Sequence, residues 1–335
     1  MTDTLSVMPQ IRAQPARLRV SRLTILSEYE GDSMKVTIYQ TDPILLDIKA
    51  NLEDAIEKIV EATSKGADLV VFPELALTGY FVRERYPEVA LRMDSSEIKK
   101  LAKATKGTAA LVGFVEESPA MNFYNSALVA IDGEIQFACR KLNLPNYGVF
   151  EERKIFANGK HVRIFRHKGL TIAPFICNDM WHPSLAYLGI TQKADLFITM
   201  FNSSRGSMGE EFSNIESWSI INRFYSRVFG VYNVCANRVG CEVFEGLRAD
   251  DDPEPSISPT IDDNPYRFWG GSEVIDPFGR SIASAALYDP DDLTADISRN
   301  LIRKKRTSLP YLRNDDPYFT YRELGRILFG KRHNF

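Results

Sequence analysis

Short apolar runs alternate with amphipathic segments along most of this chain, and that alternation is typical of an α/β fold. Residues 68–72 (DLVVF) are almost continuously apolar, which predicts a strand buried on both faces. In residues 51–65, apolar side chains recur at Leu52, Ile56 and Ile59, which predicts a helix with one apolar face. A strand that is buried on both faces needs a packed layer on each side, so we expect helices outside a sheet.

Two hairpin signals interrupt this alternation and argue against a purely parallel sheet. Asp132 and Gly133 separate the predicted strands 126–131 and 134–140, and a second turn at 276–279 separates two short strands near the end. Two mixed sheets packed together, with helices outside, therefore fit better than one doubly wound sheet. The other predicted strands are 34–40, 109–115, 162–165, 170–177, 195–200, 228–236, 272–275 and 280–284, and the other predicted helices are 96–106, a segment after Pro183, and 211–226.

The first 33 residues differ in composition from the rest of the chain. No acidic residue lies between Thr4 and Ser27, and four arginines fall in that stretch, Arg12, Arg17, Arg19 and Arg22. This composition suits a disordered tail, a start codon assigned too early, or an organelle transit peptide. We favour the first two, because a well-patterned strand begins directly at Met34, and we exclude residues 1–33 from the fold prediction.

Composition argues against several classes of function. The 335 residues carry a formal net charge of only −3, so no general nucleic-acid partner is expected. The sequence contains no apolar run of about 18 residues, so no membrane partner is expected either. Four cysteines are too few for a disulfide scaffold and favour a cytoplasmic location. Four scattered histidines, without an HxxxH or CxxC pattern, predict that there is no metal site.

Three predicted strands end at a chemically active residue followed by turn-forming sequence. Glu74, Lys141 and Cys177 stand at these three ends. Ligands of mixed α/β sheets tend to bind at the carboxyl ends of strands, so the three side chains can converge on one site. Each residue taken alone is more often a solvated glutamate, an exposed lysine or a small core cysteine. The combination is therefore what predicts a functional site.

These side chains supply the parts of a nucleophilic site. A thiol has an ordinary pKa of about 8.5, so it is mostly protonated at neutral pH and needs a base in order to attack. Glu74 can take the proton of Cys177, while Lys141 and the backbone N–H of Asn178 can stabilise negative charge on the substrate. A cysteine–histidine pair is the main alternative, with His182 as the nearest histidine along the chain.

Four motifs, three of which contain one member of this trio each, resemble those of the nitrilase superfamily of carbon–nitrogen hydrolases. They are VVFPELALTGY, RKLNLPNYGVFEERKIF, PFICNDMWHP and FWGGSEVIDPFG, in this order along the chain. The resemblance covers residues 34–299 and implies one hydrolase domain with a four-layer αββα sandwich, usually dimerised. Residues 300–335 would then form a C-terminal tail, which is a possible oligomer contact, and we expect a homodimer or a larger homo-oligomer.

The resemblance also implies the chemistry. It implies a Glu–Lys–Cys triad of Glu74, Lys141 and Cys177 that forms a covalent thioacyl enzyme and uses no cofactor. It further implies a second glutamate beside the lysine. We assign that position to Glu152 from the motif alignment, with the adjacent Glu151 as the other candidate.

The sequences that flank the trio narrow the substrate only in part. They resemble the glutaminase domains of glutamine-dependent NAD synthetases, which implies that Tyr80, Tyr147 and Trp181 line a substrate pocket. The chain ends at Phe335 without an ATP-pyrophosphatase domain or an SGGxDS phosphate loop, so we do not expect a complete NAD synthetase. Asn178 also belongs to the predicted pocket. The run after strand 195–200 should border the same pocket, with Asn202, Ser203 and Ser204 available to bind polar groups of a substrate.

Other substrates and roles remain open from the sequence. N-carbamoyl amine and amino-acid amidohydrolases normally place arginines after the cysteine, where this chain has Met180 and Trp181. True nitrilases usually show a Cys-Trp-Glu run, from which Asn178 and Asp179 depart. We therefore favour a small-molecule amide as the substrate, with glutamine-like amides among the candidates. An ammonia-supplying subunit with a separate synthetase and a catalytically silent assembly or binding module are further alternatives, although the complete triad argues against a silent module.

Overall fold

The computed structural model describes residues 33–148, 150–205, 213–242 and 267–330. The N-terminal extension up to residue 32 and the predicted helix start at 211 lie outside these ranges. The described strands are β1 (Ser33–Gln40), β2 (Leu69–Val71), β3 (Ala109–Glu117), β4 (Phe123–Ile131), β5 (Glu134–Arg140), β6 (Phe165–His167), β7 (Leu170–Ile176), β8 (Leu196–Phe201), β9 (Tyr232–Asn237), β10 (Val239–Gly240), β11 (Phe268–Trp269), β12 (Glu273–Ile275), β13 (Ser281–Ser284) and β14 (Asp291–Ser298). The described helices are α1 (Ile48–Ser64), α2 (Tyr86–Val89), α3 (Ser96–Ala104), α4 (Glu152–Ile155), α5 (Pro183–Thr191), α6 (Asn214–Phe229), α7 (Arg299–Ser308), α8 (Tyr311–Asn314) and α9 (Pro317–Phe329), with 3₁₀ turns at Arg83–Arg85 and Cys177–Trp181.

Twelve of the described strands form two mixed six-stranded sheets with the same plan, and β10 and β11 pair with each other separately. The first has the order β14-β1-β2-β3-β4-β5, in which β1, β2 and β3 are parallel and the outer neighbours are antiparallel. The second has the order β13-β12-β9-β8-β7-β6, in which β9, β8 and β7 are parallel. Three of these parallel strands, β2, β7 and β8, are mainly apolar and are buried along their whole length, as burial on both faces requires.

Three apolar clusters show how the layers stack. The largest cluster joins the inner faces of the two sheets, with Ile38 from the first sheet and Ile198 from the second as members. A second cluster packs α1 and α3 onto the first sheet, and a third packs α5 and α6 onto the second. The layers are therefore helix, sheet, sheet and helix, which confirms the predicted αββα sandwich.

Several elements have bounds that differ from the prediction. Helix α1 begins at Ile48 rather than at residue 51, because the Asp47 side chain accepts a hydrogen bond from the Ala50 backbone N–H at 3.0 Å and caps the helix. Strand β6 lies at 165–167 rather than at 162–165, since the hairpin turn that follows it begins at Lys168, which has a left-handed φ of 46°.

Strand β14 was not predicted, although its burial alternates as a half-buried strand should. It pairs with β1 over eight residues and closes the edge of the first sheet. Helix α7 follows at once, so the predicted boundary at residues 299 and 300 falls in its first turn. Ile302 of this helix packs into the cluster between the sheets. In the part of the chain that the structure describes, no helix is both long enough and apolar enough to cross a membrane.

Candidate active site

Three strand ends bring Glu74, Lys141 and Cys177 to one place. Glu74 follows β2, Lys141 directly follows β5, and Cys177 directly follows β7. The Lys141 ammonium lies 2.7 Å from Oε1 of Glu74 and 2.6 Å from Oε1 of Glu152, and all three side chains are buried. The two glutamates, the lysine and the thiol interact electrostatically, so the convergence expected from the strand ends is present.

Glu74 is held by three donors, each from a different part of the chain. Its Oε1 accepts from Lys141 and from Nδ2 of Asn125 at 2.7 Å, and its Oε2 accepts from the Asn202 backbone N–H at 2.8 Å. The turn that carries Glu74 also packs closely against β3. A Cβ on Gly113 would lie 2.3 Å from the Leu75 nitrogen and 2.5 Å from the Pro73 carbonyl oxygen, so only glycine lets the Glu74 turn approach the strand.

Lys141 remains protonated because of its two carboxylate neighbours. Burial alone would lower the pKa of this ammonium, but Glu152 and Glu74 raise the pKa of Lys141 well above its ordinary value. Its ammonium has three N–H groups, and the two glutamates take two of them. The third is therefore the one that a bound molecule can use.

Glu152, rather than Glu151, is the second glutamate of the site. It begins α4, and its Oε1 accepts from the Tyr80 hydroxyl at 2.6 Å as well as from Lys141. Burial, only partly offset by Lys141, raises the pKa of the Glu152 carboxyl. Glu151 is exposed and forms an ion pair with Lys154 on the surface.

Cys177 lies on a sharp turn between a strand and a 3₁₀ turn. Its φ is +46°, a conformation that non-glycine residues rarely adopt and that is common at functional sites. Burial and the charge of Glu74 together raise the pKa of the Cys177 thiol well above its ordinary value, so the resting group is a neutral thiol. The Asn202 backbone N–H, which donates to Oε2 of Glu74, acts in the opposite direction and lowers the pKa of this thiol.

The histidine alternative does not match this geometry. His182 is exposed, and the groups that act on the titration of Cys177 are Glu74, Lys141, Glu152 and the Asn202 backbone N–H. A carboxylate base with a buried ammonium therefore fits the described surroundings of the thiol better than a cysteine–histidine pair does.

A narrow cavity opens beside Cys177. Its volume is about 30 Å³, and the described residues that line it are Pro145, Tyr147, Phe150, Cys177, Asn178, Trp181, Asn202, Ser203, Asn214 and Trp218. The list includes five of the seven residues predicted to bind substrate. Tyr147 also donates a hydrogen bond from its hydroxyl to Oδ1 of Asn178 at 3.0 Å. The side-chain oxygen and nitrogen of Asn202 are buried with no hydrogen-bond partner in the described structure, so both are available to a ligand.

The structure places Tyr80 and Ser204 elsewhere. Tyr80 lies behind Glu152, bonded to its carboxylate, and does not line the cavity. The Ser204 backbone forms a bridge to Phe268 and accepts a hydrogen bond from the Asn214 side chain. Their proposed contact with substrate stays a prediction, as does the proposed role of the Asn178 backbone N–H.

Sequence reasoning missed several residues of the site. Asn125 on β4 contacts both glutamates, through Nδ2 at 2.7 Å from Glu74 and 3.4 Å from Glu152. Phe150 and Trp218 form aromatic walls of the cavity. The rings of Trp218 and Trp181 pack edge-on, with their centres 5.7 Å apart. An asparagine inside a strand and an aromatic residue on a helix have no local sequence signal that separates them from core residues.

Within residues 33–148, 150–205, 213–242 and 267–330, no group of three or more histidine, cysteine, aspartate or glutamate side chains is placed to hold a metal ion. The cationic group next to Cys177 is instead the ammonium of Lys141. The expectation that the protein uses no metal or other cofactor stays a prediction.

Comparison with known proteins gives a consistent result. The family model described as carbon–nitrogen hydrolase matches residues 35–307. A glutamine-dependent NAD(+) synthetase of Thermotoga maritima is 29% identical over 273 residues, which are 79% of this chain and 42% of that protein. An N-carbamoylputrescine amidase of Arabidopsis thaliana is 25% identical over 81% of this chain and 89% of its own length. The crystal structure of a carbon–nitrogen hydrolase from Helicobacter pylori G27 superposes with a TM-score of 0.71 at 23% identity, covering 88% of this chain and 98% of the other. The chain spans less than half the length of that NAD synthetase.

Proposed function

The chain belongs to the carbon–nitrogen hydrolase family, and we propose that it hydrolyses a small amide to a carboxylic acid and ammonia through a thioacyl intermediate on Cys177. The observation that carries the proposal is the buried ammonium of Lys141, which bonds Glu74 and Glu152 next to the strained cysteine turn. Buried charges are costly to maintain, so such an arrangement favours a chemical role over a purely structural one.

In the first half of the proposed reaction, Glu74 accepts the proton of Cys177 while the sulfur bonds to the amide carbonyl carbon. A base is needed because the raised pKa of the Cys177 thiol keeps it neutral at rest. The free N–H of Lys141 stabilises the resulting oxyanion, with the Asn178 backbone N–H as the second donor. Glu74 then passes the proton to the nitrogen, the C–N bond breaks, and ammonia leaves.

In the second half, water releases the acid. Glu74 takes a proton from water while the water oxygen bonds to the thioacyl carbon. The C–S bond then breaks, and Glu74 returns the proton to the Cys177 sulfur. Glu152 keeps Lys141 next to the reacting carbonyl through its 2.6 Å contact. The two half-reactions together consume one water and return the enzyme to its starting state.

The walls of the cavity favour a small, uncharged amide. Among the described residues that line it, none has a charged side chain, and the small volume of about 30 Å³ favours a short acyl group over a bulky one. The unpartnered amide of Asn202 can donate to and accept from a carboxamide, which has both kinds of group.

The relatives support two other substrates as alternatives. Similarity to a glutamine-dependent NAD(+) synthetase favours glutamine, with the ammonia passed to a synthetase on another chain or segment. Similarity to an N-carbamoylputrescine amidase, over most of that protein, favours an N-carbamoyl amine. Ammonia release from a panel of glutamine, asparagine, short aliphatic amides, N-carbamoyl amines and nitriles separates these possibilities.

The proposal is tested with Cys177→Ala, which should abolish ammonia release while the far-UV circular dichroism stays unchanged. Cys235→Ala is the matched control, because it removes a buried thiol from β9 without touching Glu74 or Lys141. Intact-mass measurement during turnover should show an acyl adduct on the wild type and on the control, and none on Cys177→Ala. Full ammonia release by Cys177→Ala would refute the proposal.

A further inference from the structure

A second buried ion pair lies behind the candidate site, on the far side of Tyr80. Arg238 is fully buried and Glu242 is 2% exposed, and Nη1 of the arginine bonds Oε1 of the glutamate. Arg238 directly follows β9 of the second sheet and Glu242 follows β10, so the two residues of the pair flank the short strand β10. Nothing in the proposed reaction requires these two charges.

Arg238 is held in place from several directions. Its Nη2 lies 2.9 Å from Oδ1 of Asp42 and 3.3 Å from the Pro43 carbonyl oxygen, and its Nε donates to the Val239 carbonyl at 3.1 Å. The guanidinium also lies 4.3 Å from the centre of the Phe268 ring. A guanidinium with this many contacts presents the Glu242 carboxylate in a fixed position.

Glu242 in turn holds the backbone that carries Tyr80. Its Oε1 accepts from the Tyr80 N–H and its Oε2 from the Phe81 N–H, each at 2.8 Å. The approach is so close that a Cβ on Gly79 would lie 2.7 Å from Glu242 Oε1. Both carboxylate oxygens are therefore used on two consecutive peptide groups, which fixes the direction in which the Tyr80 side chain leaves the chain.

Tyr80 completes the connection to the proposed catalytic residues. Its hydroxyl donates to Glu152 Oε1 at 2.6 Å, and the same oxygen accepts from Lys141 at 2.6 Å. Tyr80 is 7% exposed and its ring packs edge-on against the rings of Phe81 and Phe150, and these contacts restrict the orientation of the side chain.

We propose that Glu242, fixed by Arg238, is a positioning residue for the proposed hydrolysis, and that it acts through Tyr80 to hold Glu152 on Lys141. This inference rests on the proposed function, since it assigns the pair a role in the geometry of the same site. Glu242 touches no group that reacts, so its loss changes the rate of the chemical steps and not the affinity for substrate.

The first test is structural and needs no substrate. Glu242→Gln replaces one acceptor oxygen by an NH₂ group, which cannot accept from a backbone N–H, so one of the two peptide contacts is lost. A crystal structure of Glu242→Gln should show the Tyr80 hydroxyl more than 3.5 Å from Glu152. A Tyr80 hydroxyl that stays on Glu152 would overturn the inference.

The second test is a kinetic cycle on the panel amide that the wild type cleaves fastest. Glu242→Gln and Tyr80→Phe should each lower kcat by about tenfold or more with KM changed less than threefold. The double variant should be no slower than the slower single variant, because both changes break the same connection. Additive losses, or an unchanged kcat in folded Tyr80→Phe, would contradict the proposed route.

Asp195→Asn is the matched control. Asp195 also pairs with an arginine, Arg306 at 2.7 Å, and also accepts from a backbone N–H, that of Thr171 at 3.0 Å, but it lies away from the candidate site. It should lose stability and keep kcat within twofold. If Glu242→Gln does not fold, Tyr80→Phe alone decides the kinetic test. Loss of activity in Cys177→Ala with normal Glu242→Gln would refute only this inference, whereas an active Cys177→Ala would refute the proposed function itself.

Discussion

The Asp179 carboxylate accepts a hydrogen bond from the Asn143 backbone N–H at 2.8 Å, and so ties the loop that follows Lys141 to the turn that carries Cys177. The same oxygen accepts from the Leu142 N–H at 3.0 Å, and the other oxygen accepts from the Ile176 N–H at 3.2 Å. Lys141 and Cys177 come from different sheets, and this single carboxylate bridges the two backbones directly beside them. Asp179 was not assigned a role from the sequence.

Asp179 should make the stability of the protein depend on pH near neutrality. Burial, partly offset by its backbone donors, raises the pKa of the Asp179 carboxyl to about 7 in the folded protein, against 3.8 ordinarily. Between these two values the folded state holds a proton that the unfolded state has released. The contribution to the free energy of unfolding is therefore present at low pH and is lost as pH rises toward 7, by about 3 kcal/mol between pH 5 and pH 8.

Asp179→Asn tests this prediction, because the amide resembles the protonated acid but does not titrate. Urea unfolding followed by tryptophan fluorescence should show a fall in the free energy of unfolding from pH 5 to pH 8 in the wild type. That fall should be smaller in the variant by about 3 kcal/mol. Equal pH dependence in the two proteins would show that Asp179 titrates in its ordinary range.

Gly113 sets the distance between β3 and the turn that carries Glu74. Gly113→Ala should push that turn away from the strand, since the new Cβ would meet backbone atoms at 2.3 and 2.5 Å that cannot yield as a flexible side chain can. We expect ammonia release to fall by at least about a hundredfold, because small displacements of a catalytic group have effects of that size. Gly133→Ala is the control: its Cβ meets nothing within 4 Å, so it should cost about 1 kcal/mol for its left-handed φ and leave activity intact.

Asn125 is the neutral donor between the two glutamates, and a charge at this place should not be tolerated. Asn125→Asp would put a third carboxylate against Glu74 and Glu152 around one ammonium, and we expect kcat to fall by at least about a hundredfold. Ser126→Ala is the matched control on the next residue of β4, since the Ser126 hydroxyl bonds Glu116 instead. Ammonia release assays on both variants, at matched folded fractions, distinguish an effect on the site from an effect on the strand.

The features that could be predicted from the sequence are those that depend on local patterns of neighbouring residues. Glu74, Lys141 and Cys177 stand at strand ends whose apolar patterns are local, so both the fold class and the convergence of the three were predictable. The contacts that aim them are not local. Asn125 contacts Glu74, which is 51 residues away along the chain, and Glu242 contacts Tyr80, which is 162 residues away. A single asparagine or glutamate has no local sequence pattern that indicates such a distant partner.

The C-terminal helix α9 supports a prediction about assembly. Seven large side chains of this helix are more than half exposed, Tyr318, Phe319, Tyr321, Leu324, Ile327, Leu328 and Phe329. Its start is fixed against α5, where the Tyr187 hydroxyl bonds Asp315 at 2.8 Å. Ile220 and Phe224 of α6 are more than half exposed as well, so we expect a second copy of the chain to cover these surfaces.

Truncation after residue 316 tests this prediction. The full chain should run as a dimer or larger species by light scattering coupled to size exclusion, and the truncated chain should shift toward the monomer. Leu324→Asp with Leu328→Asp makes the same surface polar without removing residues, and should have the same effect. A full-length protein that is monomeric at micromolar concentration would contradict the prediction.

The charge balance around Lys141 leads to a prediction in which two damaging changes partly cancel. Lys141→Met leaves Glu74 and Glu152 buried together without their cation, which should lower the free energy of unfolding by about 3–5 kcal/mol. Adding Glu152→Gln removes one of the two uncompensated charges, so the double variant should recover part of that stability. It should not recover ammonia release, because no ammonium remains to stabilise the oxyanion. Urea unfolding and ammonia assays on the two single variants and the double variant measure both effects. Recovered stability with recovered activity would mean that Lys141 serves only to neutralise its neighbours.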